Sequence, residues 1–132
     1  MKVKIGDRAT ITKIFTKYDV LHFADLSLDF NPLHLDDDYA KSTSFKKPII
    51  HGMLIASLMS AVISSKLPGK GSIYLSQNLK FEAPVYIDDA VTAEVEIIAI
   101  QKKRIITLNT ICKNQNELIV ISGQAVVMKS EL

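Results

Sequence analysis

Cysteine is almost missing: Cys112 is the single one among 132 residues. One cysteine closes no internal disulfide and builds no cysteine-rich zinc site, and it suits a reducing compartment. A charge excess is missing too. Sixteen basic side chains face fourteen acidic ones, a formal +2, so nucleic acid is excluded as the default partner. Nor is there an apolar run long enough for a bilayer. The longest stretch, from Gly52 to Ile63, is interrupted by Ser57 and Ser60, whereas a span needs about twenty apolar residues. The opening MKVKIGDRATITKIF alternates and has no apolar run ending in small residues, so it does not read as a signal peptide. The expected address is the cytoplasm, with no membrane partner. Repeats, low-complexity segments and linkers are lacking as well, so residues 1–132 are expected to form one domain.

What is present is ordinary globular material, 48% apolar and 23% charged. A chain of this size buries roughly 65–70% of its unfolded surface, enough for a core without staples. Residues 8–14 alternate and predict a strand. Thr16, with Asp19 three residues on, resembles a capping box, and Val20, Leu21, Ala24 and Leu28 then mark one apolar helical face. Asn31-Pro32 ends that pattern, because the residue before proline leaves the helical region. Residues 36–43 suit one or two short turns.

From His51 to Lys66 the chain reads HGMLIASLMSAVISSK. Its apolar residues spread around most of a helical wheel, which predicts a helix buried on nearly every side. Pro68-Gly69 stops it. Beyond Gly71 four β-rich segments are expected, at 72–82, 90–101, 104–113 and 117–128. The links between them look short, which predicts antiparallel neighbours. The resulting class is α+β, an antiparallel sheet wrapped around one long helix. A sheet of this size cannot cover such a helix alone, so a homodimer is expected.

Two segments carry candidate chemistry. Residues 29–36 read DFNPLHLD and residues 48–55 read PIIHGMLI. The first places Asp29 and His34 on an irregular stretch around a proline. The second places His51 and Gly52 at a helix start, where free N–H groups and the positive dipole end can hold an oxygen that gains charge. A carboxylate and an imidazole flanking a bound water could activate it and return its proton. The plainer alternative is that Asp29 caps a turn and His34 lies on the surface.

These same segments carry a resemblance. D-F-N-P-L-H-L-D at 29–36 and P-I-I-H-G-M-L at 48–54 resemble the MaoC-like, (R)-specific enoyl-CoA hydratases. L-P-G-K-G-S-I-Y-L-S-Q at 67–77, A-P-V at 83–85, T-A-E-V-E at 92–96 and G-Q-A-V-V at 123–127 extend it over nearly the whole chain. The resemblance implies a hot-dog fold. It implies reversible syn hydration of a trans-2-enoyl-CoA to an (R)-3-hydroxyacyl-CoA, on short acyl chains, with no metal or organic cofactor. It also assigns roles. Asp29 and His34 would hold and activate the water, and the Gly52 N–H would donate to the thioester carbonyl. Asn31 would shape the catalytic loop, and Ser60 would support the site. A 3-hydroxyacyl-carrier-protein dehydratase, or a subunit of a larger dehydratase, is the alternative. An acyl-CoA thioesterase of this fold would carry a carboxylate on the central helix, and residues 53–65 contain none.

Other residues read more plainly. His51 suits a structural role, satisfying N–H groups at the helix start. Cys112 reads as a small buried hydrophobe. Lys46-Lys47 and Lys102-Lys103-Arg104 are solvated loops, or contacts to CoA phosphate. Met53 and Ile63 are core residues or lining of an acyl pocket.

Overall fold

The computed structural model describes residues 2–129. Strand β1 (Arg8–Ile14) is followed by helix α1 (Lys17–Ser27), the short helices α2 (Pro32–Leu35) and α3 (Asp37–Lys41), and the central helix α4 (Gly52–Ser65). Then come β2 (Ser72–Gln77), β3 (Lys80–Phe81), β4 (Ala90–Gln101), β5 (Ile105–Lys113) and β6 (Ile119–Lys129). All pairings are antiparallel, in the order β1-β4-β5-β6-β2, with β3 also on β6. The α+β arrangement of sheet and helix is the one expected.

Local chemistry explains the first helix. Thr16 accepts from the Asp19 amide while the Asp19 carboxylate accepts from the Thr16 amide, so the expected capping box is formed. The helix stops at Leu28, which takes a left-handed conformation at φ 66°. In β4, Val91, Ala93, Val95 and Ile97 alternate inward and are fully buried beneath α4. Thr110 and Cys112 of β5 face the same core.

Three expectations need correction. Residues 72–82 form two strands rather than one. The Asn78 side chain accepts from the Gln124 amide, and its carbonyl lies so close to Gly123 that a Cβ there would meet it. That side-chain bond takes a place in the ladder and splits the strand. The link before β4 is likewise no hairpin, since β2 and β3 pair with β6 and β4 pairs with β1. Residues 83–89 cross instead. The Val85 carbonyl accepts from the Ile50 amide, and Ile49 bridges Tyr86, so this crossing pins the segment just before α4.

The third correction concerns α4. Ile55, Ala56, Leu58, Met59, Val62 and Ile63 are buried, but Met53, Ser57, Ser60 and Ser64 lie exposed along one stripe. Within the chain the helix is covered on one side and open on the other, because its serines recur at helical spacing on the face away from the sheet.

Candidate active site

A succession of short turns builds the loop after α1. The Asp29 amide donates to Ser27 Oγ, the Asn31 amide to Asp29 Oδ1, and the Leu33 amide to Asn31 Oδ1. Asn31 thus caps α2, where Pro32 occupies the first turn. The His34 amide donates to the Asn31 carbonyl. Asn31 therefore bonds to the loop on both sides.

His34 is half-buried. Its Nδ1 lies 2.6 Å from the Ile49 carbonyl oxygen. A carbonyl only accepts, so Nδ1 carries the proton and Nε2 keeps a free lone pair. Burial pushes the His34 pKa below its ordinary value. The bond to Ile49 and the Asp29 charge work against that shift, and His51 works with it. The group is held as a neutral imidazole, which can take a proton.

His51 sits just before α4 and is 1% exposed. The expectation that it caps the helix is not met, since it makes no side-chain cap bond. Its Nε2 instead donates to the Asp29 carbonyl at 3.0 Å. Its ring stacks on His34 with centroids 4.0 Å apart and 30° between planes, and it meets Phe23 edge-on. Nδ1 is buried with no partner.

Ligand atoms of Asp29, His34 and His51 all lie within 4.8 Å of one another. One nitrogen of each imidazole is already committed to a backbone carbonyl, His34 Nδ1 to Ile49 and His51 Nε2 to Asp29. The arrangement suits the handling of a proton and a water.

Gly52 is the first residue of α4. Leu54 and Ile55 both donate to the His51 carbonyl, leaving the amides of Gly52 and Met53 without a backbone acceptor among the described residues. The side chain missing from Gly52 matters sterically as well. A Cβ there would stand 2.5 Å from Phe81 Cε1. Beside it opens a cavity of ≈ 340 Å³ lined by His34, Gly52, Phe45, Ile55, Phe81 and Ile121, among others.

The structure therefore brings together Asp29, Asn31, His34 and Gly52. It does not bring Ser60 to them. Ser60 lies on the open stripe of α4, eight residues beyond Gly52, or roughly 12 Å at the helical rise. Met53 and Ile63 do not line the cavity either; Met53 is exposed and Ile63 is core. The basic clusters separate. Lys46 and Lys47 adjoin the cavity residues Phe45 and Ile49, with Lys47 Nζ 4.8 Å from the Tyr86 ring centroid. Lys102 and Lys103 turn the β4–β5 hairpin, at the opposite end of β5 from Cys112 and its cavity-lining neighbour Ile121. The seven residue steps from Ile105 to Cys112 make that on the order of 20 Å. Cys112 is buried, and burial pushes its thiol up to about 12, so it is inert.

Phe81 and the Ile49 carbonyl are site elements that sequence reasoning missed. Phe81 counted only as one more position in an alternating strand, and a backbone carbonyl leaves no mark on residue type.

Residues 1–117 match the family described as a MaoC like domain. The chain is 49% identical over 126 residues to the (R)-specific enoyl-CoA hydratase of Aeromonas caviae, covering 95% of this chain and 94% of that protein. It is 45% identical over 127 residues to the (R)-specific enoyl-CoA hydratase of Rhodospirillum rubrum, covering 96% and 88%. The solved (R)-hydratase from A. caviae involved in PHA biosynthesis superposes with a TM-score of 0.93 at 48% identity, covering 96% of this chain and 97% of that one.

Proposed function

Since the chain belongs to the MaoC-like domain family, we propose that its cleft hydrates trans-2-enoyl-CoA reversibly to (R)-3-hydroxyacyl-CoA. It is an enzyme of the hydro-lyase class with a hot-dog fold, and its substrate is an acyl-CoA. The observation that carries the reading at the level of residues is the His34–Ile49 bond. It leaves Nε2 as the free base of His34, a residue that lines the cavity together with Gly52 and lies within reach of Asp29, which is not itself on the cavity wall.

In this mechanism water sits between the Asp29 carboxylate and His34 Nε2. The carboxylate holds one water hydrogen throughout. As the oxygen bonds to C3, Nε2 takes the other proton, and the C2–C3 π electrons move onto the thioester oxygen. The Gly52 N–H, at the positive end of α4, holds that oxygen. The imidazolium then returns its proton to C2. Oxygen and hydrogen arrive from one side, so addition is syn, and the sum is one water across one double bond. Asn31 holds the loop in shape. No observed contact supports a role for Ser60 within the chain.

Crotonyl-CoA tests the activity. Its enoyl-thioester absorbance should fall without release of free thiol, and chiral analysis should show the (R)-alcohol. Thiol release would instead mean hydrolysis, and neither change would leave a binding module.

The quaternary state, the address and the chain length belong to the same proposal. The 132 residues act as one domain in the cytoplasm on short acyl chains, as a homodimer with the site near its boundary. Support for the dimer comes from the open stripe of α4 and from β2. That strand is the sheet's last, and it leaves Ile73 48% and Leu75 52% exposed. Sedimentation at micromolar concentration should return about twice the 14.7 kDa chain mass. An active monomer would overturn the dimer.

A further inference from the structure

We infer that His51 is a positioning residue for the hydration, one that fixes the Asp29 main chain through Nε2–H and the plane of the His34 ring through the stack. The other bonds of Asp29 are local. Its amide and carboxylate bond Ser27 and Asn31, each two residues away. Such bonds shape a turn without anchoring it. Among the described residues, the His51 bond is the long-range hold on Asp29, across 22 positions of chain.

The cost of keeping a histidine here argues for that role. A buried ring nitrogen with no partner is destabilising. Phenylalanine would fill the same space against Phe23 and His34 without orphaning a nitrogen. What phenylalanine would not supply is a donor to the Asp29 carbonyl. The same ring is also the flat surface against which His34 stacks. His34 is tied at Nδ1 to Ile49, and a bond at one ring atom leaves rotation about it; the stack removes that freedom. The two groups that flank the water are thus referred to one buried side chain at the start of the helix that carries the Gly52 N–H. Misplacement of reacting groups by about 1 Å costs on the order of a hundredfold in rate.

The kinetic part of this inference rests on the hydratase reading, whereas the imidazole protonation pattern is measurable without turnover. In the wild-type protein, long-range ¹H–¹⁵N spectra should show the proton of His51 on Nε2 and that of His34 on Nδ1. A proton on His51 Nδ1 would overturn the inference whatever the activity. Two variants follow. His51→Phe keeps an aromatic ring and lacks the donor; His51→Gln places an N–H₂ near the position of Nε2 and lacks the ring. His51→Phe should lower kcat by about tenfold or more, with KM changed by less than about threefold, because the loss falls on alignment rather than on substrate binding. Its His34 ¹⁵N shifts should move. His51→Gln should recover part of kcat, which a merely space-filling role would not produce. A folded His51→Phe with kcat within about twofold of wild type, or a His51→Gln no better than His51→Phe, would overturn the inference. If His51→Phe does not fold, the wild-type spectrum and His51→Gln decide. A wild-type protein that leaves crotonyl-CoA unchanged would sink the hydratase reading, and the spectra would still judge His51.

Discussion

Replacing Asp29 by Asn, or His34 by Ala, is expected to lower hydration of crotonyl-CoA by at least about a hundredfold, the lower end of general acid–base effects. Neither change should unfold the protein. The Asp29→Asn variant keeps a side-chain oxygen for the Asn31 amide, and both positions lie outside the buried face of α4. His34→Asn is the companion variant. It offers an N–H near the position of Nδ1, so it retains the bond to Ile49 while removing the base. If Asp29 and His34 hold one water as a unit, the double variant should be scarcely worse than the worse single one. The pH profile gives an independent sign. Burial lowers the His34 pKa, so the neutral form persists to lower pH than a free imidazole would allow. The acid limb of kcat/KM should therefore lie below the ordinary value of 6.5. A limb at or above that value, or near-normal turnover in either single variant, would remove His34 and Asp29 from the roles of base and water-holding carboxylate.

The second large effect isolates a backbone hydrogen. Gly52 is the first residue of α4, where proline is tolerated, and His51 has ψ 127°, the extended backbone that a following proline requires. Gly52→Pro therefore deletes the N–H while leaving the helix able to form. Its added carbons would meet Phe81, so Gly52→Ala is the needed control. A Cβ there also displaces the Phe81 ring, which is half exposed, but the N–H remains. The ratio of the two kcat values divides out the Cβ contact with Phe81 that both variants share, and so reports chiefly the donor. It should be about 10²–10³, the usual worth of one oxyanion donor. Equal activities would show that the thioester oxygen is held elsewhere.

How far the chain could be read in advance depended on the range of each interaction. The Thr16–Asp19 box was visible because both partners lie within one turn. The alternation of β4 and β5 was visible because one face of each strand is buried throughout. The split at Asn78 was not, since its partner, Gln124, is 46 positions away. The same holds for the crossing at 83–89, which looked like a turn until Val85 found Ile50. At the site, residue type pointed to Asp29, His34 and Gly52, which carry polar groups or a missing side chain where chemistry wants them, while the loop-shaping part of Asn31 came from resemblance. It misled on how His51 is used, because a histidine before a helix reads as a cap. It was silent on Phe81, whose importance arises only where its ring fills the space a Gly52 side chain would need. Ser60 drew attention through resemblance, and within the chain it faces away.

The bonds that join the two halves of the site run largely to main-chain atoms. His34 leans on the carbonyl of Ile49, His51 on that of Asp29, Ile50 on that of Val85, and Ile49 gives its amide to Leu33. No substitution can delete a carbonyl, and only proline deletes an amide. The side chains at 33, 49, 50 and 85 are thus free to drift among apolar residues of similar volume while the scaffolding bonds persist. Apolar exchange at constant volume should be tolerated at 33, 49, 50 and 85, while polar or much larger residues should fail at the buried Ile50 and Val85, so a saturation library across residues 29–52 and 85 would separate positions that need a volume from the few that need a particular side chain.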